Sequence, residues 1–443
     1  MKSRIILKLF RLFFFVVLLF PQILAAAESS GKLEVLERVV SEAVANSYKL
    51  RARQERVDQA EFAKKQARAD FFPKFGVTYS YNRLSEARTL RSTFLQNNDI
   101  VMSSRNNYSW SGIVRQPVFS GFAIISQYRL AELGIDQSEL EFELEKMDLV
   151  LRVKEAYFNV LAADKAVEVA RKDVESRTWT VKVARSFFDV GMIPINDVLK
   201  AEVELANAEQ ALIRSDNSAM ITRAQFNKAL ARPIHAPVSL EDILTYSPVE
   251  GDYEDYVENA FCDRPEIKIL DVNILQADQR IKLAKSRYYP EVTLKYEYIK
   301  EGEDLSVSGS PFHDANRWEA LAVLSWTFWE WGKTYYAGRE QESVMKQLVQ
   351  MKSDLEDAIR LEVQDAILGL ETAEKNIPTT QKAVRQGEEN LRVNEERYKA
   401  QVSTITDLLD AQTLLAQGRL SYYRALYDHN LAKARLERAL GTY

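Results

Sequence analysis

Asp407 and Asp410 stand three positions apart, so their carboxylates project from neighbouring faces of one helical turn. Thr404 precedes Asp407 by three positions, an arrangement in which the acid also supports a helix N-terminus in the manner of a capping box. Asp197 holds the corresponding place earlier in the chain. Carboxylates so placed attract cations or start a helix, and they do not by themselves carry out a reaction. No nucleophile with an adjacent base, no phosphate loop and no cluster of metal ligands is legible. His235, His313 and His429 are widely separated, and Cys262 is the single cysteine, which excludes an intrachain disulfide and a His/Cys metal site. The residue types point to no enzyme, no cofactor and no metal.

The elements that must carry these acids are written twice. Shifted by 210 positions, Leu151/Leu361, Val153/Val363, Ala156/Ala366, Ile195/Ile405, Asp197/Asp407, Leu199/Leu409 and Leu230/Leu440 coincide without a gap. Upstream the register is 217, matching Ala43/Ala260, Gln59/Gln276, Ala67/Ala284, Pro73/Pro290 and Tyr79/Tyr296. The seven-residue slip must fall between Pro73 and Phe119, against Pro290 and Trp329. Copies of about two hundred residues are too long for a short solenoid repeat. In this frame Cys262 replaces Ala45, so it is expected to be a small buried residue.

Residues 1–27 read as an export signal: Lys2, Arg4, Lys8 and Arg11 precede the apolar run from Leu12 to Phe20, and Ala25-Ala26-Ala27 offers a cleavage site. Pro21 breaks the run well before the roughly 20 apolar residues that a spanning helix needs. Loss of those four basic residues would take the formal net charge from −5 to −9, which disfavours nucleic acid as a partner. No later segment approaches a spanning helix, so such a chain could cross a membrane only as β-structure.

The first copy, residues 28–231, reads as a helix, a β-hairpin at about 74–118, a long helix at about 120–188 and a return helix at about 195–231. Residues 232–252, with Pro233, Pro237, Pro248 and Gly251, form a linker. The second copy, residues 253–443, repeats the plan with a hairpin at about 291–328 and helices at about 333–398 and 404–440. The strands are predicted from strict alternation: Phe75, Val77, Tyr79 and Tyr81 against Gly76, Thr78, Ser80 and Asn82, then Val292, Leu294, Tyr296 and Tyr298 against Glu291, Thr293, Lys295 and Glu297. Leu133, Leu140, Met147 and Leu161 follow a seven-residue period, as do Leu130, Leu144, Leu151 and Phe158, which predicts a coiled-coil-like seam. A helix over residues 120–188 would be a rod of roughly 100 Å.

Four strands cannot close a barrel, since about eight is the smallest closed form, and open edges are not tolerated in lipid. Several chains must pool their strands, and three would supply twelve. Tyr79, Tyr81, Tyr108, Trp110, Tyr296, Tyr298, Trp318 and Trp326 suit the lipid interfaces of such a barrel, although a soluble β-sandwich would use the same aromatics.

Two copies of this plan behind an export signal resemble the TolC family of outer-membrane exit ducts. The resemblance is carried by Ala67-Arg68-Ala69-Asp70-Phe71-Phe72-Pro73 and its echo Ala284-Lys285-Ser286-Arg287-Tyr288-Tyr289-Pro290, and by Gln116-Pro117-Val118-Phe119-Ser120-Gly121 and Phe328-Trp329-Glu330-Trp331-Gly332-Lys333. The turns Val190-Gly191-Met192-Ile193-Pro194 and Ser403-Thr404-Ile405-Thr406-Asp407 complete it, and together these motifs cover nearly the whole exported chain. The resemblance implies a mostly helical α+β membrane protein: a homotrimer with a twelve-stranded β-barrel in outer-membrane lipid, continued by a long α-helical coiled-coil barrel in the periplasm. It implies passive conduction for efflux or type I secretion, with a periplasmic adaptor and an inner-membrane pump of the RND or ABC class as partners. It also places Asp407, Asp410, Asp197 and Tyr398 at a periplasmic gate, and Val190, Gly191, Met192, Gln401, Val402 and Ser403 at adaptor-contact tips. The second tip departs from the family pattern, with Gln401 where glycine is usual and Ser403 where a basic gating residue can stand; Arg397 is the available substitute. The competing reading is a periplasmic coiled-coil scaffold without a pore.

Overall fold

The computed structural model describes residues 35–91, 99–249, 251–312 and 314–442. The export signal expected over residues 1–27, and His313, lie outside them. The first copy comprises α1 (Leu36–Asn46), α2 (Tyr48–Ala69), β1 (Lys74–Arg83), a short ladder of β2 (Thr89–Arg91) with β3 (Asp99–Val101), β4 (Asn106–Ser120), α3 (Ala123–Asp189) and α4 (Ile195–Ala229). The second comprises α5 (Tyr253–Asp263), α6 (Pro265–Lys285), β5 (Glu291–Gly302), β6 (Asn316–Ser325), α7 (Lys333–Lys399) and α8 (Ile405–Ala439).

The duplication is kept to the residue. Helices α3 and α7 each have 67 residues and α4 and α8 each have 35, with both ends of each pair offset by 210 positions. Upstream, α1 and α5 match at both ends at an offset of 217, as do the starts of β1 and β5. The seven residues are therefore lost in the loop between the paired strands. Residues 84–105 form the longer version, which holds the β2–β3 ladder, and residues 303–315 the shorter.

The strands form one antiparallel sheet in the order β1-β4-β5-β6, so the two copies are joined by the β4–β5 pair. Pro117 sits inside the central strand β4, where it cannot donate to the ladder, and the register shifts between Pro117 and Phe119 in a bulge. Strand β6 ends at Ser325, so Trp326 and Phe328 lie beyond it.

The described chain divides into two units. One holds residues 150–248 and 370–434 together with α1; among its core residues Val181, Ala184, Val198, Ala201, Tyr398, Ile405, Leu408 and Leu409 pack around the two helical turns. Residues 232–248 lie against this unit's helices: Arg232 pairs with Glu42 at 2.6 Å, the Tyr157 hydroxyl donates to the Glu241 carbonyl at 2.8 Å, and Lys165 meets Asp242 at 2.8 Å. The other unit holds the sheet with residues 48–149, 249–369 and 435–443, and packs Val257, Ala260, Ile267, Ile359, Val363 and Ala439 together. There the buried Arg264 guanidinium bridges Glu266 and Glu362, at 2.8 and 2.6 Å. Cys262 corrects the sequence expectation: it is exposed, because α5 turns Val257 and Ala260 inward and leaves the cysteine on the solvent side.

Candidate functional site

The two turns that join the long helices to their return helices have the same backbone. Gly191 N–H donates to the Phe188 carbonyl and Met192 N–H to that of Phe187, both at 2.8 Å; Gln401 and Val402 repeat this with Tyr398 and Arg397, at 3.0 and 2.9 Å. This is a Schellman closure, which needs a left-handed residue after the helix. Gly191 supplies it at φ 76° and Gln401 at φ 63°, so the second tip turns without glycine. A non-glycine residue pays about 1–2 kcal/mol in that region, and glycine returns part of this as chain entropy, about 0.4–1 kcal/mol. Gln401→Gly is therefore expected to stabilise the turn by about 0.5–1 kcal/mol, read as a higher urea midpoint; an unchanged or lower midpoint would show that Gln401 is not strained. Val190, Met192 and Val402 are exposed at the tips, Gln401 is also exposed, and Ser403 is half-buried.

The acids behind the turns are used differently. Thr404 is the residue before α8, and its backbone N–H and hydroxyl both donate to Asp407 Oδ2, at 2.9 and 2.8 Å, while Asp407 N–H donates back to Thr404 Oγ1 at 3.2 Å. This is a reciprocal capping box. The Thr404 N–H, its hydroxyl and the nearby Arg397 guanidinium hold the Asp407 carboxyl below the usual aspartate range. Pro194 occupies the equivalent position before α4 and offers no side-chain cap, so Asp197 is not drawn into such a box. Asp407 and Asp410 are both exposed on the first turn and a half of α8.

Tyr398 lies within the core beneath the turn, buried, its ring 5.7 Å from that of Phe187. Its hydroxyl is buried without a hydrogen-bond partner among the described residues. Burial, and then the negative charge of Asp197, push its phenol above the ordinary range. Tyr398 and Asp197 are thus brought together across the turns, and Arg397 falls beside Asp407, with its Nη2 also 3.5 Å from the Val402 carbonyl.

A stripe that sequence reasoning missed runs along α4. Leu199, Val203, Ile213 and Met220 are each more than half exposed, and Ala206 is exposed between them. With Gln210 and Asn217 they keep the 4-3 spacing of a coiled-coil seam. The matching positions in α8 are spent inside the chain: Leu409 is in the core, and Thr413 accepts a bond from the buried Arg177 at 3.0 Å. The spacing was the available signal, but spacing alone does not distinguish a seam filled within the chain from an open one.

In the sheet, cross-strand partners put the apolar residues on one face. Phe75, Val77, Tyr79 and Tyr81 of β1 lie opposite Val114, Gly112, Trp110 and Tyr108 of β4. Tyr298, Tyr296, Leu294 and Val292 of β5 continue that face to Trp318, Ala320, Ala322 and Leu324 of β6. The other face carries Thr78, Ser80, Ser109, Arg115, Lys295, Glu297 and Glu319, with Lys295 2.6 Å from Glu297. Seven of the eight aromatics expected at lipid interfaces gather at the loop end of the apolar face: Tyr81 stacks on Tyr108 at 4.6 Å, Trp110 meets Tyr298 at 6.2 Å edge-on, and Tyr296 stacks on Trp318 at 6.2 Å. Tyr79 pairs with Trp110 in the same band. Trp326 is at the opposite end, where its indole N–H donates to the Tyr288 carbonyl at 3.2 Å. It stands eight residues from Trp318, about 26 Å along a strand, which at the tilt of barrel strands is roughly 20 Å of height, of the order of an outer-membrane apolar band.

A family model described as outer membrane efflux protein matches residues 39–232 and 256–442. The chain is 24% identical to the outer membrane protein TolC of Vibrio cholerae, over 95% of this chain and 93% of that protein. It is 23% identical to the alkaline protease secretion protein AprF of Pseudomonas aeruginosa, over 83% of this chain and 76% of the relative. Its fold is similar to the CmeC outer membrane channel of Campylobacter jejuni, with a TM-score of 0.80 at 15% identity, covering 92% of this chain and 85% of that one.

Proposed function

Since the chain belongs to the outer membrane efflux protein family and forms an outer-membrane exit duct, we propose that three copies close one duct, with a twelve-stranded barrel and a helical tunnel in the periplasm. The observation that carries this reading is the one-sided sheet: an apolar face that is exposed on β1 and β6, partly exposed on β5 and half-buried on β4, a polar face behind it, and outer edges of β1 and β6 without partners among the described residues. An even number of antiparallel strands lets β6 of one copy meet β1 of the next without breaking the alternation. Eight strands, from two copies, would leave an interior filled by side chains, whereas twelve leave room for a water-filled passage. The exposed stripe on α4 supports the same assembly through a seam between copies. The periplasmic adaptor meets the tips at Val190, Gly191, Met192, Gln401, Val402 and Ser403, and an inner-membrane pump supplies the energy. AprF, a relative named for protease secretion, makes secretion a service of this duct beside efflux. Detergent extraction followed by crosslinking and planar-bilayer recording tests the reading: trimers with stable conductance are expected, and a folded monomer released without detergent would overturn it.

In the closed mouth Asp407 and Asp410 form a ring of six carboxylates, with Asp197 and Tyr398 behind it. Such a ring favours cations and repels anions. Asp407→Ala with Asp410→Ala is expected to raise single-channel conductance and to weaken block by multivalent cations; unchanged conductance and block would leave Asp407 only its capping role. Because the Asp407 carboxyl is held below the usual range, its charge is present above that depressed value and lost only as pH falls through it. Cation block is therefore expected to persist at about pH 4, where an ordinary aspartate is already half protonated, and block fading already at pH 5 would contradict the assignment.

A further inference from the structure

Just beyond the sheet, a cavity of about 430 Å³ opens between the start of α3 and the end of α6. Its walls include Phe122, Ile125 and Tyr289, with Arg129, Lys282 and Lys285 around them. Tyr289 and Phe122 lie edge-to-face at 5.5 Å, and Phe119 adds a third ring, 5.5 Å from Phe122 and 6.4 Å from Tyr289. Phe119 pairs with Val292, which lies on the apolar face of the sheet, so the three rings continue that face into the cavity.

The backbone here is held in an uncommon shape. Gly121 and Phe122 are both left-handed, at φ 60° and 70°, and a Cβ on Gly121 would run into the Ser286 carbonyl. The second copy has Trp331 and Gly332 at φ 51° and 80°, so the aromatic and the glycine exchange places within the same two-residue kink. A bulky residue in this region costs about 1–2 kcal/mol; in the first copy the ring contacts with Phe119 and Tyr289 hold Phe122 at the cavity wall against that cost.

The charges around the cavity are positive and loosely held. Arg129 is exposed with no carboxylate partner among the described residues. Lys282 meets Asp278 at 2.7 Å and Lys285 meets Glu342 at 2.8 Å, pairs of an exposed kind that are worth little and exchange readily. The first turn of the 67-residue helix α3, which begins at the cavity, carries no acidic residue to offset its positive end.

We propose that this cavity binds an anionic phospholipid of the periplasmic leaflet, one per chain. Its phosphate lies among Arg129, Lys282 and Lys285, and its acyl chains run up the apolar face past Phe122, Tyr289 and Phe119. The proposal rests on the reading of that face as the lipid-facing side of a barrel. Charge complementarity selects an anionic headgroup, and continuity with the apolar face selects a lipid over a free phosphate ester.

The purified, detergent-solubilised protein is titrated by native mass spectrometry with dioleoyl phosphatidylglycerol, with dioleoyl phosphatidylcholine and with glycerol phosphate. One retained phosphatidylglycerol per chain is expected, about tenfold tighter than phosphatidylcholine, which has the same phosphate but whose choline cation would be repelled by Arg129, Lys282 and Lys285. Glycerol phosphate, lacking acyl chains, is expected to bind at least as weakly as phosphatidylcholine; binding as tight as phosphatidylglycerol would make this a free phosphate site and overturn the lipid assignment. Arg129→Gln with Lys282→Gln and Lys285→Gln should abolish the preference. Arg129→Gln alone, at an exposed position, should weaken it by about threefold to tenfold without disturbing the fold. Equal retention of both lipids, or a preference unchanged in Arg129→Gln and in the triple variant, would overturn the proposal. Bilayer conductance of the same samples is the separate readout of the duct: conducting channels without lipid preference sink only the lipid site, and absence of conductance sinks the barrel reading.

Discussion

Replacing Gly191 with glutamate is expected to abolish export while trimers still assemble in the outer membrane. Ordinarily a left-handed glycine is a poor place for such a test, because any substitution disturbs the backbone. The duplication removes that difficulty. Gln401 holds the same φ, with the same two closing hydrogen bonds, at the matched position of the second turn. The space around a Cβ on Gly191 is open, with nothing within 4 Å. The folding penalty is therefore only about 0.5–1 kcal/mol, confined to one turn. Gly191→Gln is the companion variant: export kept with glutamine and lost with glutamate assigns the effect to charge at a docking surface, and loss in both assigns it to the backbone. Normal export with glutamate would remove the first tip from the adaptor contact. Substrate accumulation in cells, read beside crosslinked trimers, makes the distinction.

Val203→Glu with Ile213→Glu is expected to abolish the trimer and with it all channel conductance. Both side chains are exposed within one chain, so the variant should fold with an unchanged circular dichroism spectrum. In the assembled seam each glutamate would be desolvated without a partner, at a cost of several kcal/mol per charge, repeated in every copy. Light scattering in detergent should then report monomers. Intact trimers would place the seam on another face of α4.

Much of this molecule is legible in its sequence because its signals are periodic and appear twice. The alternation from Phe75 to Asn82 predicts β1, the sevenfold spacing from Leu130 predicts α3, and the 217- and 210-position frames transfer the first and the second, respectively, to the second copy. What escaped depends on partners far apart in the chain. Cys262 was assigned by the frame to a small buried site, yet helix rotation leaves it exposed. Tyr398 was expected at a gate by resemblance; its position inside the core, facing Asp197, follows from packing of the helices around both turns, which no local pattern encodes. Thr404 makes the cap visible in sequence, and the 210-position frame sets Pro194, which has neither hydroxyl nor N–H, in the matching place before Asp197; the geometry adds that Asp407 closes the box with three hydrogen bonds. The cationic cavity at Arg129 was invisible because its members come from α3 and α6, some 150 residues apart.

The missing seven residues have a consequence for symmetry. Helices matched to the residue and turns of one backbone shape give a three-copy ring six nearly equivalent positions at its helical turns. The loops do not repeat in that way: one of each pair carries the β2–β3 ladder and the other is shorter. A ligand recognising the loops by shape would meet a threefold pattern, and a partner reading the turns would meet one close to sixfold. Binding stoichiometries of three at the loops and as many as six at the turns are then compatible in a single molecule, with no change in the number of chains.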